Sequence, residues 1–350
     1  MSPVTREDVR AYYGRTLQNR RDLKTSACCT TEALPEELRR IAAGLPGEVT
    51  DKFYGCGSPI PPVLEGTTVL DLGCGAGRDA FILSRLVGPS GHVIGVDMTE
   101  EQLAVVSRHR DEVARGFGYE ASNVSFRHGF IEDLAAVDIA DASVDVVVSN
   151  CVINLSPDKR AVFAEVLRVL KPGGELYFAD VFAGRRVPEA LRSDPALWGE
   201  CLAGAMYIED FRRMLRELGC ADYRVVARSR IALDDADLAA RAGMVVFHSL
   251  TVRAFKLDSL EDICEDYGQV ATYRGTVAGH PHRFDLDADH AFVSGKPMLV
   301  CGNTAAMLAE TRLAPHFDVA GDRSRHYGPF DCAPAALKGE DETGIGGACC

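Results

Sequence analysis

Twelve cysteines in a chain of 350 residues raise a question of chemistry before one of fold. A thiolate is a nucleophile and a soft-metal ligand, whereas a protonated thiol in a core only packs. Spacing removes one common use. No C-x-x-C occurs and no Cys is followed by a His at finger-like distance, so structural zinc is not expected. Cys28 and Cys29 are vicinal, Cys56 stands between two glycines, Cys151 follows the apolar run Val144 to Asn150, and Cys349 and Cys350 close the chain. A second set is Val69-Leu70-Asp71-Leu72-Gly73-Cys74-Gly75-Ala76-Gly77-Arg78-Asp79, with Asp97 ending a later apolar run 24 residues after Gly73. Glycines at G-x-G-x-G spacing let backbone approach a ligand closely.

These residues need elements to position them. From 67 to 180 the segments TTVLDLG, HVIGVDM, VSFRHGF, VDVVVSN and GELYFAD read as strands, and GRDAFILSRLVG, TEEQLAVVSRHRDEVARGFG and DKRAVFAEVLRVL as the helices between them. That alternation predicts an α/β fold with a doubly wound, mostly parallel sheet. DYRVVARSRIAL and VFHSLTVRAFKL add two strands after a mostly helical stretch, 185 to 219. The expected organisation is an N-terminal cap over 1–60, with YYGRTLQNR and PEELRRIAAGL helical, a main domain over 61–257, a small C-terminal α+β module over 258–332 and a mobile tail over 333–350.

Asp71 lies two residues before the first glycine, where its carboxylate would oppose a pyrophosphate. A cationic ligand fits better, and S-adenosylmethionine carries an ammonium and a sulfonium but no phosphate. Asp97, with Met98 beside it, stands where a carboxylate accepts from ribose hydroxyls. Phe130-Ile131-Glu132-Asp133 offers an apolar face for adenine at Ile131 and an acceptor for its amino group at Glu132, the alternative for Glu132 being a solvated helix cap. Asn150, at the end of the fourth strand, completes the set, and Leu170-Lys171-Pro172-Gly173-Gly174-Glu175 reads as the turn before the fifth. Together these segments resemble the class I methyltransferases, with a dehydrogenase as the runner-up.

The carboxyl end of strand four flanks the ligand crevice in such a sheet, which puts Cys151 near the cofactor's methyl group. Oxygen and nitrogen methylation usually calls on a carboxylate, Tyr or His to take a proton, and here a thiol stands instead. Leu23 to Cys28, Tyr54-Gly55-Cys56-Gly57, Ser149 to Leu155 and Leu197-Trp198-Gly199-Glu200-Cys201-Leu202 resemble the signature blocks of arsenite methyltransferases over most of residues 20 to 257. Tyr273 to His280 and the terminal Cys pair are similar to that family's C-terminal module. The resemblance implies that Cys151 and Cys201 hold trivalent arsenic for transfer, and that Cys56 and Cys28 supply further thiols. Cys29 departs from the family, which needs one cysteine in that block, so the choice between the neighbours stays open. It also implies methylated arsenicals as products and thioredoxin or glutathione as reductant. Cysteines 74, 220, 264, 301 and 332 match no block and are read as core or incidental residues.

Acidic residues exceed basic ones by 51 to 38, giving a net charge of -13, which argues against a nucleic-acid partner. The amino terminus has no apolar core of the signal-peptide kind and no run reaches the roughly 18 apolar residues of a membrane span, so a cytoplasmic enzyme with reduced thiols is expected. Two competing readings are an enzyme of this fold acting on a quinone or sterol, and a metalloid-sequestering protein without turnover. The vicinal thiols of Cys349 and Cys350 could raise the local concentration of a soft metalloid. Deleting both is expected to leave turnover at high arsenite intact and slow it at low arsenite, and equal initial rates across an arsenite titration would contradict this.

Overall fold

The computed structural model describes residues 34–51, 55, 59–192, 194, 197–198, 201–233 and 235–332. Five parallel strands, β1 (Thr68–Leu72), β2 (His92–Asp97), β3 (Val124–His128), β4 (Val144–Asn150) and β5 (Leu170–Ala183), form the centre of one sheet. The short β6 (Met206–Tyr207) pairs with the end of β5. β7 (Arg224–Ile231) and β8 (Phe247–Phe255) complete it, β8 running antiparallel to both neighbours. The order is β3-β2-β1-β4-β5-β8-β7.

Side chains alternate across this sheet, so each face carries its own core. Leu70, Leu72 and Val147 join Val162, Phe163 and Val166 of helix Lys159–Val169 and Phe211 and Leu215 of helix Ile208–Glu217. Val69, Val146 and Val148 face the other way and meet helices Arg78–Val87 and Glu100–Gly116. Both faces are covered, which is why β4 reads as a nearly unbroken apolar run. Asp158 starts the helix that follows β4 by accepting from Ala161 N at 2.9 Å. Helices Glu36–Ala43 and Gly47–Asp51 bury Leu38 and Val49 in the same core as Phe81.

The sequence reading misses several features. Residues 170–175, expected as a turn, belong to β5: Leu170 pairs with Val144, and the register then shifts between Val144 and Val146. The turn is absorbed as an irregularity, with Gly173 at φ 76° and Gly173 N donating to Lys256 O. Helix Ala236–Ala242 and strand Phe317–Ala320 were not expected, both being too short to show a period. No helix among the described residues is long and apolar enough to cross a membrane.

The C-terminal residues have their own core, built on a three-stranded antiparallel sheet of Pro297–Val300, Gln269–Tyr273 and Phe317–Ala320 and on helix Gly302–Ala309. One buried ion cluster fastens it to the main sheet. Glu175 of β5 accepts from Arg253 Nε of β8 at 2.6 Å and forms an ion pair with Arg312 of the module at 2.5 Å. Arg253 also donates to Leu286 O, and Arg312 donates to Val63 O and Pro62 O. Burial alone would raise the Glu175 pKa, but the two guanidiniums overcome it and hold the carboxyl below its usual range. A depressed carboxylate adds stability above its unfolded pKa and loses it as pH falls through the folded value. Removing one partner of such a cluster costs about 3–5 kcal/mol. Arg253→Met is expected to lose stability on that scale at pH 7 in urea titrations, with a smaller further loss in acid than the unsubstituted chain; wild-type acid dependence would contradict the assignment.

Candidate active site

The strand order reverses between β1 and β4, and at the carboxyl ends of these strands a solvent-open cleft encloses about 1060 Å³. Asp71, Gly73, Gly75 and Gly77 line it from β1 and the loop after it. Asp97 and Met98 line it from the end of β2, Ile131 and Glu132 from the turn after β3, and Asn150 and Cys151 from the end of β4. Gly73, Gly75 and Gly77 have φ of 68°, 52° and 87°. A Cβ on Gly73 would stand 2.5 Å from Val152 and one on Gly77 2.4 Å from Val106, while Gly75 faces open space.

Asp97 ties the loop to β2, its Oδ2 accepting from Gly75 N at 2.9 Å and its Oδ1 from Thr99 N at 2.8 Å. Burial raises its pKa and those backbone donors pull it back. Asp71 is different. It is buried and its Oδ2 has no hydrogen-bond partner, so burial, then Asp79 and Asp97, hold its pKa well above the ordinary value. An orphaned carboxyl among further carboxylates, on a cleft floored by glycine, fits a cationic ligand such as S-adenosylmethionine. Asn150 Nδ2 donates to Asp79 Oδ2 at 3.0 Å, and Arg78 holds the other Asp79 oxygen at 2.7 Å. Glu132 is no solvated cap: its Oε1 accepts from Ser156 Oγ at 2.6 Å, and both residues line the cleft.

Cys151 and Cys201, 50 residues apart, meet at one edge of this cleft. Their sulfurs and a carboxylate oxygen of Asp180 all lie within 4.8 Å of one another. The Cys201 thiol donates to Cys151 O at 3.2 Å. Asp180, fully buried at the end of β5, accepts from Asn154 N at 3.0 Å, Asn154 Nδ2 at 2.7 Å and Val181 N at 2.8 Å. Burial pushes its pKa up to about 7 against those donors and Lys159. Burial pulls Lys159, which donates to Ser156 O and lies 5.2 Å from the Trp198 ring centroid, down to about 8. Asp180, Asn154 and Lys159 escaped the sequence reading, although an acidic residue ending an apolar strand was a signal for Asp180.

The expectation of reduced thiols fails at Cys151 and Cys264, each of which is disulfide-bonded. Cys28, Cys29, Cys56, Cys349 and Cys350 lie outside the described residues. Of the five read as core or incidental, Cys74 and Cys220 are buried, whereas Cys264, Cys301 and Cys332 converge in the C-terminal module.

Comparison with known proteins agrees with both parts of this architecture. Residues 64–219 match a methyltransferase domain model, and residues 267–344 match the model for the arsenite methyltransferase C-terminal domain. The chain is 51% identical over 346 residues to the arsenite methyltransferase of Aquipseudomonas alcaligenes, covering 98% of this chain and 99% of that one. It is 41% identical over 314 residues to the human arsenite methyltransferase, covering 89% and 82%. Among solved structures, CrArsM, an arsenic(III) S-adenosylmethionine methyltransferase from Chlamydomonas reinhardtii, superposes with a TM-score of 0.83 at 52% identity, covering 85% of this chain and all of that one.

Both cysteines of the sulfur pair are held in left-handed backbone geometry, Cys151 at φ 57° and Cys201 at φ 65°. For a residue with a Cβ this costs on the order of 1–3 kcal/mol, and such strain gathers where a side chain is needed for more than packing. Glycine would relieve it. Cys201→Gly is therefore expected to be more stable than Cys201→Ala by about 0.5–1 kcal/mol, after allowing for glycine's freer unfolded chain. Chemical denaturation of the two variants checks this, and equal stabilities would show that the position is unstrained.

Proposed function

The chain belongs to the arsenite methyltransferase family, as similarity along 98% of its length establishes, and on that premise we propose that it transfers methyl groups from S-adenosylmethionine to trivalent arsenic held on Cys151 and Cys201. The observation that carries this reading is the convergence of two distant sulfurs with Asp180 at the edge of the cleft. Asp71 would hold the ammonium, Asp97 the ribose, and Ile131 and Glu132 the adenine, with Gly73, Gly75, Gly77, Met98 and Asn150 shaping the surroundings. The sulfonium supplies an electrophilic methyl group.

Arsenic is the substrate, and its softness explains the ligands. Thiols displace its hydroxides as water, leaving a pyramidal complex whose lone pair is the nucleophile. Arsenic has no proton to lose, so the transfer needs no general base, and the chain's task is to fix the metalloid in near-attack geometry. Once a thiol reductant has opened the Cys151 disulfide and been oxidised in its place, loading moves protons: each thiol gives one up as each hydroxide leaves. Asp180, with its pKa near 7 and within 4.8 Å of both sulfurs, is suited to carry them between the two. Transfer oxidises arsenic towards the pentavalent state. Two thiolates return the pair of electrons by closing a disulfide, which thioredoxin or glutathione reopens. Cys56, with Cys28 or Cys29, would supply the third thiol, and a cytoplasmic setting would keep the reductant at hand.

The test is product speciation. Purified enzyme with S-adenosylmethionine, arsenite and thioredoxin or glutathione is expected to give mono- and dimethylated arsenicals by mass spectrometry. Cys151→Ser and Cys201→Ser should each lower the rate by at least about 10²-fold, and Cys201→Ser should leave the cofactor dissociation constant unchanged. Wild-type methylation by the serine variants would remove the thiolates from the mechanism.

A further inference from the structure

Three other cysteines, drawn from separate parts of the sequence, place their sulfurs within 4.8 Å of one another in the C-terminal module: Cys264, Cys301 and Cys332. Each arrives on a different element. Cys264 directly precedes the short strand Glu265–Asp266, which pairs with Gly328–Pro329, and Phe330 N donates to Cys264 O, which brings Cys332 alongside. Cys301 comes from the other direction, following strand Pro297–Val300 and capping helix Gly302–Ala309, where its Sγ accepts from Thr304 N at 3.4 Å. The Cys264 and Cys301 sulfurs are 3.2 Å apart. Arg224 Nη2 reaches Cys301 Sγ at 3.9 Å while its guanidinium is paired with Asp222 and Asp287.

We propose that Cys264, Cys301 and Cys332 form a second, non-catalytic binding site for trivalent arsenic, a three-sulfur cup in the C-terminal module. With metal–sulfur bonds of about 2.3 Å, as for zinc, sulfurs sharing one atom stand about 3.3 to 3.8 Å apart, a spacing this cluster reaches with small side-chain movements. Reduction of the Cys264 disulfide frees its partner thiol as well, so zinc, which wants four ligands, is the competitor that the titration must separate. Trivalent arsenic wants three, because its lone pair fills the fourth direction. Binding balances without redox change: arsenous acid and three thiols give the tris-thiolate and three waters. Cys264 is disulfide-bonded in this structure, so the cup forms after a thiol reductant has taken up that disulfide and become oxidised in its place. Cys264 and Cys301 are buried and Cys332 is half-buried.

The proposal rests on the assigned substrate only for the identity of the metalloid, and the test does not require turnover. The full-length chain is reduced, freed of reductant and titrated with arsenite, and protein-bound arsenic is counted by equilibrium dialysis and elemental mass spectrometry. Cys332→Ser, a change at a half-buried position, is expected to bind one arsenic fewer per chain than the unsubstituted protein while methylating at the same rate in saturating arsenite. Cys301→Ala should lose the same equivalent, and because it also removes a helix cap, Cys332→Ser stands as the independent variant. Unchanged stoichiometry in Cys332→Ser would overturn the site, as would retention of zinc by the reduced protein at these sulfurs in place of arsenic. If the chain failed to methylate arsenite yet Cys332→Ser still lost one equivalent, the fault would lie with the catalytic assignment and the second site would stand.

Discussion

A single buried carboxylate organises the sulfur end of the molecule. Asp180 has no exposure to solvent and accepts three hydrogen bonds, two of them from Asn154. Burying a carboxylate is tolerable only when its lone pairs are used, so the three donors are the condition of its being there. Asn154 lies in the short turn that follows Cys151, and Asp180 thereby fixes the path of the chain leaving β4. Gly204 presses on that turn from the other side: a Cβ there would fall 2.1 Å from Asn154 O. Only a residue without a side chain allows so close an approach, and the approach draws the segment carrying Cys201 against the one carrying Cys151. The meeting of the two sulfurs is a consequence of this packing.

The cleft beside them is electrostatically the opposite of a phosphate site. A dinucleotide pyrophosphate would be met by Asp71, Asp79 and Asp97 clustered about the glycine loop, with Arg78 engaged by Asp79. The same carboxylates suit a ligand bearing an ammonium and a sulfonium. Asp71, raised well above its ordinary pKa while it lacks a partner, is the group whose ionisation such a ligand would favour.

Legibility in the sequence followed the range of the interactions. β1 to β5 and their intervening helices were readable because each repeats an apolar period over enough residues to show it, and the glycine loop and Asp97 because they are local signals at fixed separation. Glu132 and Asn150 line the cleft beside these signals. The Leu170–Gly174 segment misled because its Pro and Gly pair is turn chemistry, and only the neighbouring strands reveal it as an irregular stretch of strand. Asp180 was passed over because the partners that make burial tolerable lie in another element, 26 residues away. The convergence of Cys264, Cys301 and Cys332 was beyond reach for a stronger form of the same reason. Short antiparallel pairings assemble it, and a residue's partner in such a ladder is set by tertiary register.

The length of β5 unites these observations. It runs from Leu170 to Ala183, and it carries Glu175, the anchor of the C-terminal module, and Asp180, the anchor of the sulfur turn. The two carboxylates are five residues apart along an extended strand, about 16 Å at the usual rise. The ladder to β8 continues without irregularity from Glu175↔Phe255 to Ala183↔Phe247, so strand alternation sends the two side chains to opposite faces of the sheet. Arg253 and Arg312 can therefore grip one carboxylate from the module's side without competing for the other. A displaced module would nonetheless disturb the site, because a strand paired on both edges cannot slip in register at one end while holding it at the other. In this arrangement the module braces the strand from which the sulfur turn is hung, in addition to carrying thiols of its own.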